Sequence, residues 1–88
     1  MRLPADLSES EREALDHIRY HPTAHHAVWD AVIPLLKRLA DVELTHAGTV
    51  AVVRMGDERL ELTKPTAGPL PERDVLTIRR MLGTAGLL

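Results

Sequence analysis

The side chains in this 88-residue chain that titrate near neutral pH are five histidines, and four of them cluster: His17, His21, His25 and His26. His17 and His21 are four apart, so on a helix they share a face and could share a Zn²⁺ or Ni²⁺ ion, with His25, His26 or Asp16 completing the set. No glutamate accompanies His17 in the H-E-x-x-H manner, and Pro22 interrupts the geometry after His21. The alternative is a solvated, pH-sensitive corner between two helices. No metal site is assigned, and no cofactor is expected. The fifth histidine, His46, stands apart at the end of an alternating run, where an imidazole can serve as a general acid or base. Its alternative is a strand-end histidine with no role. The chain has no cysteine, which excludes disulfides, thiolate zinc sites and cysteine nucleophiles. Ser8 and Ser10 read as helix caps, and nothing pairs a nucleophile with a base.

The cations that could meet phosphates are Arg54, Lys64, Arg73, Arg79 and Arg80. Duplex RNA is held through shape and backbone contacts, so such a set needs no aromatic partners. Glu58, Glu61 and Asp74 interleave with it, and affinity from counterion release scales with the phosphates neutralised. The whole chain carries 11 basic and 13 acidic residues for a net charge of −2, unlike a dedicated nucleic-acid binder. The charge is uneven: residues 1–47 hold eight acids and five bases, residues 48–88 five acids and six bases. With Trp29 and Tyr20 as the only aromatics, base stacking on a sheet is ruled out.

Hydrophobic residues at 44% and charged residues at 27% are ordinary for one globular domain. No apolar run approaches a membrane span and the N-terminus has no signal-like segment, so a cytoplasmic protein is expected. Ser8 and Glu11 form a capping box that opens a first helix running to about Tyr20, with a thin stripe of Ala14, Leu15 and Ile18. His21-Pro22-Thr23 ends it. A second helix is expected over about Ala24 to Ala40. Val28, Val32, Leu35, Leu36 and Leu39 line its apolar face, widened by Trp29, Ile33 and Ala40, and Pro34 falls on the polar side with a kink near Asp30 or a late restart, the helix remaining one element. Trp29 and Tyr20 are expected as core and core-edge packing.

The period then changes from 3.6 to 2. Asp41 to His46 alternates, Ala47-Gly48 turns, and Thr49 to Met55 is a β-branched run. Gly56-Asp57 is a two-residue hairpin turn, and Glu58 to Thr63 alternates with Leu60 and Leu62 inward. A proline- and glycine-containing loop leads to a last helix from about Pro71-Glu72. Val75, Ile78 and Leu82 are its buried stripe, and Gly83 is its expected end. The order α-α-β-β-β-α predicts an α+β fold, a three-stranded antiparallel meander with helices packed on one face. Residues 1–23 read as an accessory helix and loop, residues 24–88 as the main domain.

From about Leu35 to Leu87 the chain resembles the HicA family of small bacterial toxins, which have a double-stranded-RNA-binding-domain fold. Three stretches carry the resemblance. They are Leu35-Leu36-Lys37-Arg38-Leu39-Ala40 before the first strand, Leu60-Glu61-Leu62-Thr63-Lys64-Pro65 as third strand and exit, and Thr77 to Leu87, which closes on Ala85-Gly86-Leu87. The resemblance implies an RNA-interacting protein of a toxin–antitoxin system, an mRNA interferase or a catalytically degenerate relative. Its partners would be RNA or a cognate antitoxin. The family is similar within itself in a Gly-Ser-His segment whose histidine is the proposed catalytic residue. The matching positions here read Gly48-Thr49-Val50, and valine cannot transfer protons. Whether the chain is an enzyme therefore stays open. His46, expected to pair near Thr49, is the residue that could restore RNA cleavage, and Arg54, Lys64, Arg79 and Arg80 are the RNA-binding candidates. The rival reading is a non-enzymatic protein-binding module, such as a phage- or mobile-element-encoded inhibitor. In either case the chain is a monomer, or a homodimer joined through an uncovered edge strand or the Leu87-Leu88 tail.

Overall fold

A computed structural model describes residues 7–20 and 27–87. Six elements follow one another: α1 (Glu9–Tyr20), α2 (Trp29–Leu39), β1 (Asp41–Thr45), β2 (Val50–Met55), β3 (Glu58–Thr63) and α3 (Glu72–Thr84). This is the α+β order expected, with a sheet of order β1-β2-β3 and antiparallel pairing throughout.

The meander has two chemically distinct faces because side chains alternate along each strand. Val42, Val53 and Leu60 lie side by side, as do Leu44, Ala51 and Leu62, and these rows face the helices. The opposite face carries the rows Asp41–Arg54–Arg59, Glu43–Val52–Glu61 and Thr45–Val50–Thr63. One core joins the inner rows, apart from the exposed Leu44, to Val32, Leu35 and Leu36 of α2 and to Val75, Ile78 and Leu82 of α3. Ala14, Leu15 and Ile18 of α1 belong to the same cluster, since α1 packs against both α2 and α3.

The capping box is present: the Glu11 N–H donates to Ser8 Oγ (3.1 Å), and the Ser8 N–H donates to Glu11 Oε1 (3.3 Å). Arg38 Nε of α2 lies 3.0 Å from Glu11 Oε2, so one carboxylate both caps α1 and ties it to α2. Burial pushes the Glu11 carboxyl up, but the Ser8 side chain and backbone and the Arg38 guanidinium together hold it below its ordinary value of 4.5. A carboxyl depressed by folding stabilises the fold above its unfolded pKa and loses that contribution as pH falls through the folded value. Thermal unfolding of the protein and of Glu11→Gln should therefore differ most above pH 4.5 and converge as the pH is lowered further. A gap that stays constant down to the acid limit would refute this role for the ionised carboxylate.

Two boundaries and the placement of one side chain differ from expectation. Ala27 and Val28 lie outside α2, which starts at Trp29; Val28 has extended backbone (ψ 148°) and its side chain is exposed rather than part of the apolar face. The expected start at Ala24 lies outside the described residues. Here the Ala27 carbonyl accepts from the Leu70 N–H (2.7 Å), so the segment before α2 is held by the loop before α3 instead of by helical bonds. Gly83 does not end α3. The helix runs to Thr84, and Gly86, with φ +76°, makes the left-handed turn. The Leu87 N–H returns to the Leu82 carbonyl (2.8 Å) and the Gly86 N–H to Gly83 (3.1 Å), a Schellman closure that tucks Leu87 into the core. Finally, Tyr20 is exposed rather than core-edge, with the Arg19 guanidinium 5.5 Å from its ring centre. Trp29 is buried in the core, as expected.

Candidate functional site

His46 is not a strand residue. Strand pairing ends at Thr45↔Val50, and His46-Ala47-Gly48-Thr49 form the connecting turn. Three successive residues there have positive φ: His46 (54°), Ala47 (57°) and Gly48 (84°). The Thr49 N–H (3.2 Å) and Oγ1 (2.7 Å) both donate to the His46 carbonyl, and the Gly48 N–H donates to Thr45 (3.1 Å). The His46 ring is exposed, with Nδ1 3.0 Å from Thr45 Oγ1. Thr49 therefore lies inside the same turn as His46 and not opposite it on a paired strand. Val50 is the first residue of β2, on the sheet face away from the helices.

The four RNA-binding candidates are dispersed. Arg54 lies on the outer face of the sheet, 4.0 Å from Glu43. Lys64 follows β3, its N–H bonded to the Thr49 carbonyl (2.7 Å). Arg79 donates from Nε to the Arg19 carbonyl at the end of α1 (3.2 Å). Arg80 turns the other way and pairs with Glu58 Oε1 at 2.7 Å. Arg73 lies 3.8 Å from its neighbour Asp74. Arg54, Arg73, Arg79 and Arg80 thus meet carboxylates or a carbonyl of this chain, while Lys64 is held through its backbone N–H.

Of the histidine cluster, His21, His25 and His26 lie outside the described residues. His17 is half-buried on α1, with Nε2 4.0 Å from Glu13. Among the described residues no group of three or more His, Asp or Glu side chains is placed to hold a metal ion. Among the same residues no helix is long and apolar enough to cross a membrane.

A cleft of about 610 Å³ lies at the end of the molecule opposite the His46 turn. The β2–β3 hairpin, the first residue of β1 and the carboxyl ends of α2 and α3 enclose it. Leu39, Met55, Met81 and Ala85 provide apolar lining, and Asp41, Asp57 and Glu58 bring carboxylates. Arg38 and Arg54 also line it, and they pair with Glu11 and Glu43, which lie outside the cleft. Asp41 and Asp57 are exposed and make no ion pair among the described residues. Two helix carboxyl ends add their partial negative charge to the same place. An apolar lining with unpaired carboxylates beside it suits a side chain with an apolar stem and a cationic head. The β1–β2 register puts Asp41 opposite Arg54, and the arrival of the α3 terminus depends on tertiary packing.

Compared with family models, curated proteins and solved structures, the chain finds no match.

Proposed function

We propose that this chain is a non-enzymatic binding module, and that its cleft takes a lysine or arginine side chain presented by a partner protein next to an apolar residue. The observation that carries this reading is the cleft itself, with its methionine lining, unpaired Asp41 and Asp57, and two converging helix carboxyl ends. The scattered, carboxylate-paired arginines support it from the other side, because a polyanion gains little from cations already neutralised. Val50 at the position of the family's histidine, and an exposed His46 that has, among the described residues, only Thr45 Oγ1 beside its ring, argue against catalysis.

A second reading has one observation in its favour. Residues 29–84 follow the α-β-β-β-α order that the HicA resemblance implies, so an RNA-interacting toxin, or its degenerate relative with a cognate antitoxin, is the competing proposal.

One experiment separates them. The protein is mixed with a ladder of single- and double-stranded RNA at low and physiological salt, with His46→Ala in parallel. It is also titrated with N-acetyl-leucyl-arginine amide while backbone amide resonances are followed. The expected result is no cleavage and no salt-sensitive retention of RNA. Shifts are expected at Asp57 and Ala85 that the leucyl-glutamate analogue does not cause and that Asp41→Asn/Asp57→Asn removes. RNA cleavage lost in His46→Ala would overturn the non-enzymatic reading, and an arginine titration without shifts at the cleft would overturn its assignment.

A further inference from the structure

We infer that two copies of this chain join through β3, pairing the strand with itself in antiparallel register about Leu60 to make a continuous six-stranded sheet. Among the described residues β3 is an edge, hydrogen-bonded to β2 and to no other strand. Which of its backbone groups are free follows from register. The Lys64 N–H bonds the Thr49 carbonyl, and Met55↔Glu58, Val53↔Leu60 and Ala51↔Leu62 continue the same hydrogen-bonded phase. In an antiparallel ladder the residues between those pairs direct their N–H and C=O groups to the other side. On β3 these are Arg59, Glu61 and Thr63, a short row of donors and acceptors without a partner strand among the described residues, of the kind that templates another strand.

A twofold axis normal to the sheet keeps the inner and outer faces of both copies aligned, so the axis must pass through a residue. Centred on Leu60, it sets Arg59 of each copy opposite Glu61 of the other, and these are the residues whose backbone groups point outward. Two opposite-charge pairs and their backbone bonds then form together on the outer face, while Leu60 meets its own counterpart on the inner face. Arg59 and Glu61 each have side chains 58% exposed and now lie 3.6 Å apart within one strand, so pairing exchanges a same-strand contact for two cross-strand ones. Centring on Glu61 would oppose two glutamates. The other edge, β1, is less suited: pairing it about Val42 sets Asp41 against Glu43, and pairing it about Glu43 sets that carboxylate against itself.

The assembly would also draw on an exposed leucine of α3. Arg80 of α3 reaches Glu58 at the start of β3, which places this side of α3 toward the β3 edge. Leu76, 41% exposed, lies one turn before Arg80 on the same side of the helix. The twofold axis sets the two α3 helices side by side and antiparallel, bringing each Leu76 toward the seam. One strand and one leucine per copy make a small interface, so the dimer should dissociate in the micromolar to millimolar range.

The inference does not depend on the cleft or on RNA, and its test uses the full chain. Sedimentation equilibrium over a concentration series should show a reversible monomer–dimer exchange. Arg59→Glu and Glu61→Arg, each on an exposed side chain, should each weaken it by about tenfold or more, because like charges then face each other twice. The double variant Arg59→Glu/Glu61→Arg should restore it. Mixing the two single variants should produce a heterodimer, since every opposed pair is again of opposite sign. A wild-type chain that stays monomeric throughout, or a dimer indifferent to Arg59→Glu, would overturn the inference.

Discussion

Replacing Ile18 by alanine should cost the fold about 3 kcal/mol, the middle of the range for truncating a fully buried isoleucine, and lower the unfolding midpoint by roughly 15 °C. Ile18 is 0% exposed, and it belongs to the same core cluster as Leu35 of α2 and Ile78 of α3. Its helix has a short apolar stripe, which read alone suggests a peripheral element that could detach at little expense. The packing assigns α1 a different part. Ala14, Leu15 and Ile18 are all buried between α2 and α3, and the Glu11–Arg38 pair fixes the near end. A domain of this length has a total stability on the order of 5–10 kcal/mol, so the lost side chain removes a large part of it. Unfolding should remain one cooperative transition, because the cavity opens in the shared core. A change below about 0.5 kcal/mol, or a separate early transition for α1, would show that the helix is an appendage.

The elements were legible because each is written in local chemistry. The Ser8–Glu11 box, the change of period at Asp41 and the Gly56-Asp57 turn announce their structures within a few residues, and the strands fall where alternation puts them. What could not be read locally concerns ends and directions. Gly83 and Gly86 are both plausible helix stops by type. The choice of Gly86 depends on Leu87 finding a place in the core, a tertiary fact. Val28 fits the helical period of α2, yet a hydrogen bond between Ala27 and Leu70, distant in sequence, holds that segment extended.

The candidate site divides along the same line. His46 and the basic residues were identified by type, and type does not tell whether side chains converge. Arg79 and Arg80 are adjacent in sequence, but successive helical positions differ by about 100°, so one turns to α1 and the other to β3. The cleft was invisible at that level because its walls come from four separate places in the chain, and none of them carries a motif. The like-charge and opposite-charge rows across the strands, by contrast, follow directly from register once the two hairpins are set.

Pro34→Ala should act in the opposite direction to Ile18→Ala and raise stability by about 2 kcal/mol. α2 is only 11 residues long, and Pro34 is its sixth. At that depth proline has no N–H to give the Asp30 carbonyl, and its ring crowds the same carbonyl, together worth about 3 kcal/mol against alanine in a helix interior. Proline also restricts the unfolded chain, which returns roughly 0.4–1 kcal/mol to the native protein. The side chain is exposed, so alanine leaves no cavity, while Ile33 and Leu35 on either side are buried and hold the helix through the interruption. At the amino end of α2, Val28 offers no side-chain cap that would compensate. The helix therefore persists through burial of its apolar face and not through its local sequence. Denaturant unfolding should show the midpoint rising with the m-value unchanged. A lower midpoint would mean that the proline ring itself stabilises the folded state, and the source of α2 stability would have to be sought on its exposed side.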